Sequence, residues 1–306
     1  MSKLSCNNLL SIADLSHDDV MLVMGYAAFI ENNMKSRPNL DLLQGKLLST
    51  LFFESSTRTR LSFEAAMHRM GGGVLSVDGV FSSATKGESL QDMGRVVSDY
   101  CDVMVVRHNE VGAVADFAQN ATVPVINAGD GTNQHPTQAL LDLYTILSEK
   151  ESLSGLTLGF MGDLKHARTV KSLVPLLKRY GVTIVFISHP DLKMTDDVKQ
   201  VLDSSSVQVQ ETDCLTDALP DLDVLYVTRL QEERFTDTEN FEEYQSRFCI
   251  TPEVLANAKP DLSVMHPLPR RGEIHPDCDV DPRAAYFRQA NNGMVVRAAL
   301  LYALMK

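Results

Sequence analysis

The run Phe52-Phe53-Glu54-Ser55-Ser56-Thr57-Arg58-Thr59-Arg60 sets one carboxylate, four hydroxyls and two guanidiniums where an apolar stretch gives way to a helical pattern. If Arg58 opens a helix, Ser56 and Thr57 lie at its cap. Free backbone N–H groups and the helix dipole then converge on the place where the hydroxyls and Arg58 stand. A solvated cap needs one hydroxyl. This many donors points instead to a bound anion, and a phosphate fits. Arg60 acquires no such role and reads as a surface or structural arginine.

Other clusters repeat the theme. "VVRHNE" puts Arg107 just past an apolar run, and "NAGDGTNQHPTQ" puts His135 and Gln138 three residues apart, near one helix face. "GFMGDLKHARTV" offers Gly159, Gly162, Asp163, Lys165 and Arg168 but lacks the full G-x-G-x-x-G dinucleotide fingerprint. "YVTRLQEERF" carries Arg229 and Gln231, "HPLPRRGEI" is stiffened by Pro267 and Pro269, and "FSSATKGES" holds Ser82, Ser83 and Lys86. On residue types alone that last loop reads equally well as a solvated surface loop. Arg58 and Arg107 in the first half, with Arg168 and Arg229 in the second, suit two anionic groups. One is a phosphate at a helix N-terminus, the other a carboxylate held by guanidinium forks. No G-x-S-x-G, H-E-x-x-H, Walker A or metal-ligand cluster occurs, so the chemistry has to rest on positioning and electrostatic stabilisation.

The elements that must position these groups alternate along the chain. Short runs rich in Val, Ile and Phe predict buried parallel strands at 46–53, 73–77, 102–106 and 123–127, then at 157–161, 183–188, 207–210, 223–227 and 262–266. Helical patterns predict helices near 17–32 and at 58–70, 88–100, 111–119, 136–150, 169–180 and 286–305, with Gly181 as a stop. Residues 232–248 read as a long mobile loop. The 306 residues exceed what one core usually serves, which predicts two α/β units joined near 135–150. The polar clusters fall at strand carboxyl ends, where open α/β sheets bind ligands. A net charge of −12 argues against nucleic acid or an anionic membrane as partner. Five scattered cysteines without a C-x-x-C pair, no signal-like N-terminus and no apolar stretch of spanning length read as cytoplasmic.

Taken together, "FFESSTRTRLSFE", "VVRHNEVGA", "NAGDGTNQHPTQALLDL", "GDLKHARTV", "VTRLQEER" and "MHPLPR" resemble the aspartate/ornithine carbamoyltransferase family, and within it the aspartate-using catalytic chains, essentially end to end. The resemblance implies two open parallel-sheet, Rossmann-like α/β domains with the active site in the interdomain cleft and a C-terminal helix returning to the first domain. Residues 1–134 and 287–306 would bind carbamoyl phosphate, and residues 135–286 would bind L-aspartate. No cofactor or metal is implied. Ser56, Thr57, Arg58 and Thr59 would hold the phosphate. Arg107, His135 and Thr59 would polarise the carbamoyl carbonyl, and Gln138 would contact its amino end. Arg168, Arg229 and Gln231 would hold the aspartate carboxylates, with the backbone around Leu268 and Pro269 seating both substrates. The family's trimers share active sites, so Ser82 and Lys86 would reach a neighbouring subunit's site, with Lys86 also meeting aspartate. Glu54 would tie the domains on closure through Arg168 and Arg234. Separate regulatory chains occur in the family.

The chain departs from one family member at Thr85, where that member has a second lysine before Lys86, and has Arg271-Gly272 rather than a more acidic pair after the HPLPR motif. An ornithine-using enzyme should show Cys where Pro267 stands, and Arg229 would repel an ornithine ammonium. A catalytically silent subunit should have lost the phosphate-binding or carbonyl-polarising residues, and all are present.

Overall fold

The computed structural model describes residues 3–78, 87–203, 205, 207–230, 245 and 247–306. Two units divide the chain: Met1–Tyr144 with Asn291–Lys306, and Thr145–Ala290.

In the first unit, β1 (Leu47–Phe52), β2 (Gly73–Asp78), β3 (Val103–His108) and β4 (Val125–Asp130) form a parallel sheet in the order β2-β1-β3-β4. Helices α1 (His17–Met34), α2 (Thr57–Arg69), α3 (Leu90–Ser98), α4 (Ala113–Ala118) and α5 (Pro136–Lys150) accompany it. The hydrophobic continuity of β3 and β4 matches their burial, since a parallel strand covered on both faces has no solvent side. Leu51, Met104, Val106 and Val125 pack there against Phe117 of α4 and Met93 of α3. The N-terminal segment lies along β4, with Leu9 N–H donating to Val125 O and Leu9 O accepting from Asn127 N–H. It thereby covers what would be an open sheet edge.

In the second unit, β5 (Thr157–Met161), β6 (Thr183–Ile187), β7 (Gln208–Thr212), β8 (Val224–Val227) and β9 (Ser263–Met265) pair in parallel in the order β7-β6-β5-β8-β9. Helices α6 (Arg168–Leu177), α7 (Asp196–Gln200), α8 (Leu215–Ala218) and α9 (Pro252–Leu255) intervene. The long α10 (Tyr286–Met305) brings the chain back to the first unit. No helix among the described residues is long and apolar enough to cross a membrane.

All nine expected strands form, with ends moved by at most three residues. Two expectations need amendment. β7 is exposed along most of its length rather than buried, because it is the edge strand and carries Gln208, Gln210 and Glu211. Helix α6 stops at Leu177, short of the expected 180, with Pro175 inside its last turn removing a backbone donor. The loop expected at 232–248 lies outside the described residues except for Gln245, Arg247 and Phe248.

The strand orders locate the ligand-binding end of each sheet. From β1 the chain steps outward to β2 and then crosses back to β3, so the switch point lies between the carboxyl ends of β1 and β3. By the same logic the second switch point lies between β5 and β8.

Candidate active site

At the first switch point, β1 ends at Phe52 and α2 begins at Thr57. Ser56 is the N-cap, extended at φ −158° and ψ 98°, and its hydroxyl makes no cap hydrogen bond. The hydroxyl oxygen is therefore not taken up as an acceptor by the helix's own first-turn N–H groups. Thr57 and Arg58 are exposed, whereas Thr59 is buried. Arg58 is reachable by solvent, yet partial burial lowers the pKa of its guanidinium from the ordinary value.

Arg107 lies at the end of β3, directly across from Phe52 of β1 in the ladder, and is 7% exposed. Its Nη1 donates to Ala128 O at 3.1 Å and its Nη2 to Glu54 Oε1 at 2.9 Å. Two anchors on one planar fork fix the guanidinium between the ends of β1 and β4. The structure thus sets Glu54 against Arg107 of its own unit, while Arg234, one of its two expected partners, lies outside the described residues.

Beyond β4, buried Asp130 builds the loop that delivers His135. It accepts from Gln134 N–H at 2.9 Å, Asn133 Nδ2 at 3.0 Å and Asn127 Nδ2 at 3.1 Å. Gly131 is required in this loop, because its φ is +52° and a Cβ would come within 2.9 Å of Asn109 O. His135 then stands immediately before Pro136, the first residue of α5, and is 5% exposed. Gln138, one turn on, is buried, and its Nε2 donates to Asp142 Oδ1 at 2.9 Å. Arg60 faces elsewhere. It donates to Glu64 at 3.0 Å and to Ser76 at 2.5 Å, fastening α2 to the sheet as a structural arginine.

At the second switch point, Asp163, wholly buried, shapes the turn after β5. It accepts from His166 N–H at 3.2 Å and lies 2.9 Å from His166 Nδ1, which sets up α6 with Arg168 as its first residue. Gly162 has φ +115°, and a Cβ there would lie 2.6 Å from Thr228 O. Gly162, the second glycine of the G-x-x-G run, thus permits the close approach of the end of β5 to Thr228 just past β8. Thr228 N–H and Oγ1–H both donate to Met161 O, at 2.8 and 2.9 Å, and so hold Arg229 just past the end of β8.

Glu273, 3% exposed, links this strand end to the turn after β9. It accepts from Leu230 N–H at 3.0 Å and from Arg271 N–H at 2.6 Å. Burial pushes its carboxyl up, but buried His266 and the Arg271 N–H outweigh that and hold its pKa below 4.5. His266 Nδ1 in turn accepts from Leu268 N–H at 2.8 Å, and the Leu268–Pro269 peptide is cis. The backbone of the HPLPR turn is thus set by groups that cannot reach solvent. Arg270 is engaged by Asp279 and Tyr286.

Arg58, Thr59, Arg107 and His135 thus gather at the carboxyl ends of three neighbouring strands, β1, β3 and β4. Arg168, Arg229, Leu268 and Pro269 do so at β5, β8 and β9. Ser82, Thr85, Lys86, Gln231 and Arg234 lie outside the described residues.

Two family models match the chain: the carbamoyl-P binding domain of aspartate/ornithine carbamoyltransferase over residues 7–148, and its Asp/Orn binding domain over residues 154–304. The chain belongs to the aspartate/ornithine carbamoyltransferase family. Among members of this carbamoyltransferase family, the aspartate carbamoyltransferase catalytic subunit of Thermococcus kodakarensis is 50% identical over 295 residues, covering 96% of this chain and 95% of that one. The catalytic subunit of M. jannaschii aspartate transcarbamoylase superposes with a TM-score of 0.93 at 42% identity, covering 98% of each chain. Aspartate transcarbamoylase from Trypanosoma cruzi, solved in complex with carbamoyl phosphate and aspartate, gives a TM-score of 0.93 at 38% identity, over 99% of this chain and 98% of that one.

Residue types and spacing alone did not single out Asp130, Asp142, Glu273 or Arg297. Asp142 stood four residues after Gln138 in a run already marked for chemistry, which is a legible helical spacing. Glu273 lies in the HPLPRRGEI run, but of its backbone partners only Arg271 is near in sequence and Leu230 is not, while Arg297 carries no local signal because Ser62 lies 235 residues away.

Proposed function

We propose that this chain transfers the carbamoyl group of carbamoyl phosphate to the α-amino group of L-aspartate, giving N-carbamoyl-L-aspartate and phosphate, an early step of pyrimidine synthesis. The observation that carries the reading is the pair of guanidiniums, Arg168 and Arg229, flanking the switch point of the second sheet. Two cations there suit a dicarboxylate and repel an ammonium side chain.

In this reading Ser56, Thr57, Arg58 and Thr59 hold the phosphate. Arg107, His135 and Thr59 donate to the carbamoyl oxygen, Gln138 meets the carbamoyl amino group, and Arg168, Arg229 and Gln231 grip the aspartate carboxylates. Leu268 and Pro269 contribute backbone to both substrates. Carbamoyl phosphate binds first. The deprotonated amine attacks the carbonyl carbon, a C–N bond forms, and negative charge gathers on the carbonyl oxygen facing Arg107. The C–O bond to phosphate then breaks, and the leaving phosphate takes the amine proton. Glu54, with Arg168 and Arg234, latches the closed state. We read the assembly as a cytoplasmic homotrimer in which Ser82 and Lys86 complete a neighbour's site.

Purified protein given carbamoyl phosphate and aspartate should release phosphate and carbamoyl-aspartate in equal amounts. Turnover with ornithine and none with aspartate would sink the assignment. Sizing the native complex from cell extract separates a bare trimer from one carrying regulatory chains.

A further inference from the structure

A buried polar ladder stands behind Gln138. Gln138 is 8% exposed and Asp142, one turn on in α5, is 0% exposed. The Gln138 Nε2 donates to Asp142 Oδ1 at 2.9 Å, and its side chain makes no other hydrogen bond with a described residue. Arg297 of α10, 3% exposed, lies close enough for its charge to be drawn to Asp142. It is pinned by Nη1 donating to Ser62 Oγ at 2.7 Å and Nη2 to Thr137 Oγ1 at 3.5 Å, with Phe63 under its guanidinium. An ionised Asp142, the form that the positive charge of Arg297 favours, offers acceptors only. The Gln138 amide therefore has one satisfactory orientation: its NH2 goes to Asp142, and its carbonyl oxygen turns away from the ladder.

That orientation matters for a carbamoyl group, whose oxygen and amino ends have nearly the same size and differ only in hydrogen-bond polarity. Resting on the reading above, in which Gln138 meets the carbamoyl amino end, we infer that Asp142 is a specificity-determining positioning residue. It holds the Gln138 oxygen toward the substrate, so that this end of the site accepts from an NH2 and disfavours an acyl phosphate with a methyl there. The opposite end, with Arg107, His135 and Thr59, offers donors to the carbonyl oxygen. The two ends together allow one placement of the planar group. A methyl facing the Gln138 oxygen leaves a desolvated acceptor unpaired, which discriminates by roughly ten- to a hundredfold.

The test compares the KM of carbamoyl phosphate with the inhibition constant of acetyl phosphate, in the parent, Asp142→Asn, Asp142→Ala, Gln138→Leu and the double variant Asp142→Asn/Gln138→Leu. The parent should favour carbamoyl phosphate by about ten- to a hundredfold. Each single variant should bring the ratio within a few-fold of unity, because an asparagine or an empty position no longer dictates how the amide turns. The double variant should be no less selective than Gln138→Leu alone. The inference is overturned if the Asp142 variants weaken both ligands equally with the ratio kept, if Gln138→Leu keeps the ratio, or if the two effects add. Thermal melts show which variants are folded, and Asp142→Ala serves if Asp142→Asn is not. Absence of parental turnover with carbamoyl phosphate and aspartate would instead defeat the functional reading itself.

Discussion

Arg60 donates to Glu64 and Ser76, whereas Arg58, two residues earlier, is exposed and has no hydrogen bond or ion pair with a described residue. Removing Arg58 therefore costs the fold little, while removing Arg60 strips Glu64 of its cation. Arg58→Ala should lower kcat by about 10²–10³, the cost of losing one charge-stabilising donor, and leave stability within about 0.5 kcal/mol. Arg60→Ala should do the reverse, losing roughly 1 kcal/mol of stability with near-parental kcat, as steady-state rates and urea melts will show. The run of residues alone could rank Arg58 above Arg60 because only Arg58 sits at the helix start. It could not name Arg60's partners, since Ser76 reaches the guanidinium only once β2 is laid beside β1. Glu273 is harder still: a lone carboxylate after two arginines reads as surface charge until the β8 and β9 turns close over it.

Strands and their carboxyl ends are the most legible elements, because a buried parallel strand must be almost continuously apolar and a helix entrance is polar. Edge exposure is less legible, since β7 differs from its neighbours only by its place in the sheet. Gly162 carries information at this scale. With φ +115° and a would-be Cβ 2.6 Å from the Thr228 carbonyl, Gly162→Ala has to move the β5–β8 junction. It should cost about 2 kcal/mol or more and raise the KM of aspartate, through Arg229, more than that of carbamoyl phosphate. Helix α1 offers a second case. Burial pushes the Asp19 carboxyl up, but hydrogen bonds from Ser16 and Ser5 outweigh it and hold the pKa at about 2, below the ordinary 3.8. A depressed folded-state pKa gives stability that is full above the unfolded value and lost as pH falls through the folded one. Asp19→Asn should thus destabilise by on the order of 2 kcal/mol at pH 7. The gap to the parent should close between 3.8 and about 2 in a pH series of urea melts.

For the whole molecule, the chain holds 28 Lys and Arg against 40 Asp and Glu, a net charge of −12, yet its proposed substrates are both anions. Such a surface repels them at long range, so affinity has to come from cations concentrated at the strand ends. Buried cations behind those ends are placed by partners far apart in the sequence: Arg297 meets Ser62 across 235 residues, which no local pattern reveals. A cation lent by another subunit extends the same logic, and it gives the shared-site proposal a quantitative test. Arg58→Ala and Lys86→Ala chains, each inactive alone, are mixed under conditions that exchange subunits. If every site draws Arg58 from one chain and Lys86 from the next around a three-fold ring, each hybrid trimer of either composition contains one site with both residues intact. Random mixing should then restore about a quarter of parental activity, since about three-quarters of the trimers are hybrids with one live site in three. Recovery near zero would mean that Arg58 and Lys86 serve the same chain's site, and the trimeric sharing would have to be abandoned.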